Sequence, residues 1–191
     1  EVDDAISLEF VDNIPNIWVH ISYPVKLIEF NSEINDEARK KSTSLYLVDR
    51  YIPMLPDNII QESNLKRNKV SETLSACIQI NEDGSIKDYE IQEAIIKPDY
   101  EFTYEDVNEL LELEPAEEYE LIFLNKLLKM RASYRKRNGA ISFNNNYSKI
   151  SFTNGNVNLE KIETSEAHNL VSEAMILMGN VFSEYLNKYK I

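Results

Sequence analysis

Apolar residues recur along this chain with two different periods, and each period predicts its own kind of element. Alternation of apolar and polar positions, or a dense run of β-branched and aromatic residues, predicts strands. The first pair would form a hairpin across a turn at 12–16, and another pair would meet around Asn81 and Gly84, where glycine supplies a positive φ. The predicted strands are residues 5–10, 17–21, 75–80, 86–96, 141–143, 149–152 and 157–162.

Helical spacing and capping residues predict four helices in the remaining chain. Thr103 and Asp106 have the spacing of a capping box, and Gly139 follows the longest helix at the position where glycine commonly ends one. Two prolines within residues 52–58 predict a loop there. The helices are predicted at 32–41 with Asn31 or Ser32 as cap, 103–113, 117–138, and 165–188 opening at Ser165 or Glu166.

The last two helices each carry an apolar face, and together with the strands they predict the fold class. Strands and helices are mixed without regular β-α-β alternation, so we expect an α+β fold with a largely antiparallel sheet. The predicted apolar faces consist of Leu121, Leu124, Leu127, Leu128 and Met130 on the first helix, and of Val171, Met175, Met178, Phe182 and Leu186 on the last.

Composition narrows the class of protein. The chain has 191 residues, and its 43% hydrophobic content is sufficient for a packed core. The single cysteine, Cys77, has no disulfide partner in the chain, which predicts a reducing compartment such as the cytoplasm. No apolar run is long enough for a membrane span, so we expect no membrane partner. The net charge of −13 by itself argues against nucleic acid as a ligand.

Three carboxylates, those of Glu1, Asp3 and Asp4, occupy four positions beside the first predicted strand. Like charges this close resist joint ionisation unless a cation neutralises them. Hard oxygen ligands select Mg²⁺ or Mn²⁺, which activate water and stabilise phosphoryl oxygens. The alternative interpretation is a solvated acidic turn.

The remaining candidate residues each have a plain structural explanation beside a functional one. His20 on a strand and His168 in a first helical turn are typical of hydrogen-bonded or capping histidines rather than catalytic ones. One cysteine and two histidines provide no zinc-site spacing. Tyr46 and Phe143 are either core aromatics or platforms on which bases stack. The basic cluster at 129–137 is either a solvated helix end or a phosphate-binding track.

Five segments in the same order resemble the catalytic RNB domain of the ribonuclease II and ribonuclease R family. The most specific segment is 43–56, which matches the family pattern Thr-Ser-Val-Tyr-Leu-x-Asp-Arg-x-Ile-Pro-Met-Leu-Pro at most of its fixed positions. The other four segments are Glu1-Val2-Asp3-Asp4-Ala5, Val19-His20-Ile21-Ser22, Arg137-Asn138-Gly139-Ala140-Ile141-Ser142-Phe143 and Ala167-His168-Asn169-Leu170-Val171-Ser172-Glu173-Ala174-Met175.

This resemblance implies a 3′→5′ exoribonuclease that uses Mg²⁺ to hydrolyse single-stranded RNA from its 3′ end to nucleoside 5′-monophosphates. It implies that Glu1, Asp3 and Asp4 are catalytic carboxylates, with Asp4 and Glu1 as metal ligands. The residues implied to contact RNA are Tyr46 at the 3′-terminal nucleotide, Phe143 as an aromatic clamp on the terminal bases, and Glu173 at the terminal nucleotide.

The chain also departs from the family pattern. The first acid of the motif and the catalytic arginine would lie outside residues 1–191, so we expect a partial RNB domain that is inactive when isolated. We expect such a piece to self-associate through core surface around Val171, Met175 and Met178. Tyr23 stands where the family has an acid, and Thr164 where it has an arginine. These departures keep two alternatives open: an RNB domain that binds RNA without catalysis, and a protein-interaction module.

Overall fold

The computed structural model describes the backbone of residues 2–142, 147–153, 156–162 and 164–190, and the side chains of these residues except those of 147–153 and 156–162. It contains eight strands, which are β1 Asp4–Val11, β2 Ile14–Ser22, β3 Leu45–Tyr46, β4 Tyr51–Ile52, β5 Ser71–Ile80, β6 Ile86–Ile96, β7 Tyr147–Thr153 and β8 Asn156–Ile162. The α-helices are α1 Glu33–Lys41, α2 Asp57–Ser63, α3 Tyr104–Leu113, α4 Tyr119–Arg137 and α5 Glu166–Tyr189, with 3-10 turns at Pro24–Leu27 and Ala116–Glu118.

A four-stranded antiparallel sheet with the order β1-β2-β5-β6 forms the centre of the fold. Helices α4 and α5 pack on it, so the α+β class predicted from the sequence is confirmed. The strands β3 and β4 pair separately as a small hairpin, as do β7 and β8. The predicted strand at 141–143 is absent over 141–142, and Phe143 lies outside the described residues.

The turn between β1 and β2 is shorter than the sequence predicted. Only Asp12 and Asn13 form it, with φ values of 51° and 63°, the left-handed pair that suits a tight hairpin. Pro15 lies inside β2 rather than in the turn predicted at 12–16. It is tolerated because β2 pairs with β5 only from Ile17 onward, so Pro15 lies in the projecting part of the hairpin.

The turn between β5 and β6 confirms the prediction for Gly84 and adds a packing constraint. Gly84 has a φ of 88°, as expected, and a Cβ there would lie 2.4 Å from the carbonyl oxygen of Met130 on α4. Arg131 and Arg137 donate to the carbonyl oxygens of Gly84 and Asp83, at 3.2 and 2.6 Å. The C-terminal half of α4 therefore packs against and hydrogen-bonds with the β5–β6 turn at the end of the central sheet.

The predicted helix starts agree closely with the structure. Ser32, rather than Asn31, caps α1, and its Oγ accepts a hydrogen bond from the backbone of Asn35. Thr103 and Ser165 open α3 and α5 with capping boxes. Helix α2 was not predicted: it begins one residue after Pro56, within the segment for which the prolines had indicated a loop.

The buried face of α5 differs from the prediction. Of the five residues expected there, only Met178 is buried, whereas Val171, Met175 and Phe182 are partly buried and Leu186 is exposed. Ala174 is fully buried in the core cluster, and this small residue lets α5 lie close to the sheet, with Met175 and Phe182 turned partly away from it. The apolar side chains of α5 that are buried are Ala167, Leu170, Ala174, Leu177, Met178 and Val181. Since Met178 is already covered, it offers no surface for self-association, which stays a prediction.

Candidate functional site

The segment that carries Asp3 and Asp4 is held from two sides. The backbone amide of Val2 donates to Oδ1 of Asn64 at 2.8 Å, and the Val2 carbonyl accepts from the amide of Leu65 at 2.9 Å. On the other side the amide of Ser22 donates to the Asp3 carbonyl at 2.8 Å. Asn64 and Leu65 are both buried. The two acids are thus fixed by the scaffold although they lie near the first residue.

Asp4 lies at the rim of an open, mainly apolar cleft of about 420 Å³ between β1, α3, α4 and α5. The side chain is half-buried, and this desolvation raises the pKa of its carboxyl group. Asp3 is exposed and does not line the cleft. The other side chains that define the cleft are Phe102, Tyr104, Leu121, Leu124, Leu170 and Val171.

Asp4 supplies this position with one carboxylate, the type of ligand that hard divalent cations prefer. Within the part of the chain that the structure describes, Asp4 forms no ion pair with a lysine or arginine, so its partly desolvated charge is not neutralised. The described residues contain no group of three acids, histidines or cysteines that could hold a metal ion. Glu1, the remaining predicted ligand, lies outside the described residues.

Tyr46 lies on the small hairpin of β3 and β4, away from the core. Three quarters of its surface is exposed, 76%, which decides against the core alternative. Its ring stacks on that of Tyr51, with 4.7 Å between ring centroids and 29° between ring planes. The structure therefore presents Tyr46 as an accessible aromatic surface, as a base-stacking residue requires. Phe143, the other predicted aromatic, lies outside the described residues.

Glu173 is the third predicted RNA-contacting residue, and it is buried in α5 with only 5% of its surface exposed. Its carboxylate accepts two hydrogen bonds from Arg135 on α4: Nε to Oε1 at 2.8 Å and Nη2 to Oε2 at 2.6 Å. This bidentate geometry is the strong form of an arginine–carboxylate pair. In the structure, Glu173 therefore joins α4 to α5, two helices of the core.

The basic end of α4 is largely occupied by internal contacts. Lys129 forms an ion pair with Glu166, and Arg135 binds Glu173. Arg131 is 5% exposed and lies over the ring of Tyr134, while Arg137 binds the β5–β6 turn. These contacts favour a structural role for the cluster over the phosphate-binding alternative.

Both histidines have the structural roles that the sequence indicated. His20 is buried between Ser75 and Ser7, with 2.8 Å from Nδ1 to the Ser75 Oγ and 3.2 Å from Nε2 to the Ser7 Oγ. Burial lowers the pKa of His20 to about 4, which keeps the ring neutral. His168 lies 2.7 Å from the Ser165 Oγ within the capping box and stacks on Tyr104.

The structure also shows the surroundings of Cys77 and of the two residues that depart from the family pattern, Tyr23 and Thr164. Cys77 lies in mid-strand, and burial together with nearby carboxylates raises the pKa of its thiol. Tyr23 precedes the first 3-10 turn, and its hydroxyl donates to Oε1 of Glu93 at 3.3 Å. Glu93 also pairs with Lys26. Glu93 of β6 thus places an acid beside Tyr23, the position directly after β2 at which the family has an acid. Thr164 is exposed immediately before α5.

Sequence reasoning missed three contributors to this region: Asn64, Tyr51 and Arg135. Asn64 and Arg135 have no local signal, because each acts on a residue that the tertiary fold brings near. Tyr51 was within reach of a short-range argument, since it follows Tyr46 by five residues across a candidate turn.

Comparisons with known proteins identify the family to which the sequence is similar. A family model described as the RNB domain matches residues 1–191. The chain is 36% identical over 194 residues to an uncharacterised ribonuclease of Synechocystis sp., with 100% of this chain and 29% of that protein covered. It is 31% identical over 199 residues to the chloroplastic/mitochondrial ribonuclease II of Arabidopsis thaliana, with 100% of the chain and 25% of that protein covered.

Among solved structures, the fold is similar to that of Mycoplasma genitalium RNase R in complex with ribose-methylated single-stranded RNA, with a TM-score of 0.88 at 22% sequence identity. That comparison covers 100% of this chain and 31% of the RNase R chain. The chain therefore spans less than a third of the length of each of these proteins. Over the described ranges, no helix has both the length and the hydropathy that crossing a bilayer requires.

Proposed function

Because the chain belongs to the RNB domain family, we propose that it forms part of a Mg²⁺-dependent 3′→5′ exoribonuclease that releases nucleoside 5′-monophosphates from single-stranded RNA. The observation that carries the proposal is Asp4, a half-buried carboxylate held rigidly at a cleft with no cationic partner among the described residues. Relatives named as ribonucleases support the general activity.

Asp4 and Glu1 would hold the metal ion, and Asp3 would act as a further catalytic carboxylate. A bound Mg²⁺, or Mn²⁺ in its place, would supply Lewis-acid stabilisation of a phosphoryl oxygen and a lowered pKa for an attacking water. The protein's own contribution is to keep the Asp4 carboxylate in place and to present it half-desolvated, since electrostatic interactions strengthen where water is excluded.

Tyr46 would position the 3′-terminal nucleotide by stacking on its base, and Phe143 would add a second aromatic contact. Stacking is independent of sequence because every base has a π-face, which suits an enzyme that degrades any RNA. For Glu173 we propose a contact with the terminal nucleotide. Because Glu173 accepts two hydrogen bonds from Arg135, it would contact the RNA while remaining hydrogen-bonded to α4.

The test is cleavage of single-stranded RNA, labelled at its 5′ end, by the native protein that carries this chain. With Mg²⁺ present we expect shortening from the 3′ end and release of 5′-monophosphates. Asp4→Asn should lower the rate at least about 100-fold, because metal ions stabilise transition-state charge by several kcal/mol. Asp12→Asn is the matched control: it makes the same charge change at an exposed turn residue, and its rate should equal that of the unmodified protein.

Three results would contradict the proposal. Equal activity of the Asp4→Asn variant and the unmodified protein would remove Asp4 from the site. Internal cuts, or products without a 5′-phosphate, would identify a different reaction. Tight RNA binding with no turnover by the unmodified protein would favour the alternative of an RNB domain that binds RNA without catalysis.

A cytoplasmic location is also proposed, on the evidence of the single unpaired cysteine. The name of the Arabidopsis relative places that protein in organelles, so location varies among the proteins to which this chain is similar. Fractionation of cells that express the native protein tests it, and recovery in an organelle fraction would contradict it.

A further inference from the structure

The hairpin that presents Tyr46 contains a second aromatic residue for which neither the resemblance nor the proposed mechanism has a role. Tyr51 is the cross-strand partner of Tyr46 in the two-residue pairing of β3 with β4. The family pattern matched by this segment leaves the position of Tyr51 unspecified, so the resemblance implies no role for this residue. Its ring is the one on which Tyr46 stacks.

Directly opposed residues of an antiparallel pair have their side chains on the same face of the hairpin. The rings of Tyr46 and Tyr51 meet there with 4.7 Å between centroids and 29° between planes, an arrangement close to offset stacking. Tyr51 is 40% exposed and Tyr46 is 76% exposed. Tyr51 is therefore the lower ring of the pair, and Tyr46 the outer one that a ligand meets first.

Tyr51 is itself tied to the base of the hairpin. Its hydroxyl lies 3.5 Å from the Oγ of Ser44, and that Oγ accepts a hydrogen bond from the amide of Met54 at 3.0 Å. The amide of Leu47 donates to the Arg50 carbonyl at 2.9 Å and closes the turn between the two strands. These contacts give the lower ring a fixed place against which the outer ring rests.

We propose that Tyr51 is a positioning residue, whose ring holds the ring of Tyr46 in the orientation in which Tyr46 stacks on the 3′-terminal base of single-stranded RNA. The inference rests on the proposed function, since it needs Tyr46 to meet RNA. An exposed tyrosine with no neighbouring ring loses side-chain freedom when it binds RNA, and this loss lowers affinity. A tyrosine ring that is already stacked on another ring has lost that freedom before binding. Tyr51 thus increases affinity without touching the RNA.

The expected effect follows from the side-chain freedom that an unsupported Tyr46 would lose on binding. Removal of the lower ring should weaken binding of the RNA 3′ end about 2- to 10-fold, the range that corresponds to the ordering of one side chain. Tyr51→Val removes the ring and keeps a side chain that favours strands. Tyr51→Phe keeps the ring and removes only the hydroxyl, so it should bind almost as the unmodified protein does.

The experiment uses the native protein with Asp4→Asn, so that RNA is bound without being consumed, and single-stranded RNA with 2-aminopurine as its 3′-terminal base. Stacking of that base on Tyr46 quenches its fluorescence. With Tyr51→Val, the dissociation constant should rise and part of the quenching should be lost, and with Tyr51→Phe both should be retained. The matched control Tyr189→Val, which opens the pair of Tyr189 with Tyr185, should change neither.

The outcomes distinguish failure of this inference alone from failure that includes the role of Tyr46 in the proposed function. If Tyr46→Ala abolishes the quenching while Tyr51→Val leaves quenching and affinity unchanged, the positioning role is wrong and the role of Tyr46 stands. If Tyr51→Phe loses as much as Tyr51→Val, the hydroxyl contact with Ser44 is responsible and the stacking argument is wrong. If Tyr46→Ala leaves the quenching intact, or the RNA is not bound at all, the inference and the role of Tyr46 in the proposed function both fail.

Discussion

Replacement of Arg135 by methionine should destabilise the protein more than replacement of its partner Glu173 by glutamine. The side chain of Glu173 is 6% exposed and that of Arg135 is 26% exposed, so the two partners differ in their access to water. Without Arg135, a buried carboxylate loses both of its hydrogen bonds and its counter-charge, at a cost of about 3–5 kcal/mol. Without the Glu173 charge, the guanidinium can be hydrated, and the cost is about 1–3 kcal/mol.

Urea unfolding, followed by circular dichroism, measures both free energies. The double variant, with Arg135→Met and Glu173→Leu, should lose much less than the sum of Arg135→Met and Glu173→Leu measured singly, because neither an unpaired charge nor an unsatisfied group is left in the core. The matched control is the exposed ion pair of Lys26 with Glu93, where Lys26→Met should change stability little.

The reasoning is refuted if Glu173→Gln costs as much as Arg135→Met, because burial would then not determine the asymmetry. A second measurement separates structure from RNA contact. If Glu173→Gln leaves the unfolding free energy unchanged and yet weakens binding of the RNA 3′ end, Glu173 acts on the RNA, as the resemblance implies, and the ion pair with Arg135 is incidental.

Two further predictions concern the sheet. The pKa of His20 is about 4 in the folded protein and its ordinary value is 6.5, so the unfolded chain binds the proton first as pH falls. The unfolding free energy should therefore drop by about 2 kcal/mol between about pH 7 and pH 5. In urea titrations His20→Gln should remove this pH dependence, and an equal dependence in the variant would contradict the prediction. Gly84→Ala should lower the unfolding free energy by about 2–4 kcal/mol, because the residue has a positive φ and a Cβ there would contact Met130. Gly139→Ala should lower it by only about 1 kcal/mol, because Gly139 has a similar φ but open space around it. Equal losses would contradict the packing argument.

The features that sequence predicted correctly depend on residues close together in the chain. The two residues of the capping box, Thr103 and Asp106, are three positions apart, and the structure shows both of its hydrogen bonds. The position of Gly84 follows from the turn alone. Such features can be predicted from a short segment, because the groups that form the hydrogen bonds lie within a few residues of each other in the chain.

The buried face of α5 was predicted poorly because packing depends on the surface that the helix meets. The apolar pattern favoured large side chains such as Met175 and Phe182, whereas the small residue Ala174 is fully buried in the core cluster. Small residues let a helix approach a sheet closely, and a periodicity argument that weights hydrophobic size undervalues them. Which face is buried therefore became clear only with the sheet in place.

The candidate site divides in the same way. The acids Asp3 and Asp4, the aromatic Tyr46 and Glu173 are site predictions made from motifs. The partners that hold this region were not predicted, because Asn64 binds Val2 across 62 residues of sequence, and Arg135 binds Glu173 across 38. A pattern within one segment contains no information about a partner that the fold brings from another.

The distribution of charge, rather than its sum, bears on how RNA would be bound. A net charge of −13 suggested that nucleic acid is not a ligand, and the basic end of α4 was the obvious exception. Arg131, Arg135 and Arg137 are engaged with the protein itself, so their release for phosphate contacts would cost internal bonds. Asp4, in contrast, forms no ion pair with a basic side chain in the described part of the chain. This arrangement favours recognition by stacking on Tyr46 and neutralisation of the reacting phosphate by an added cation over a track of arginines and lysines.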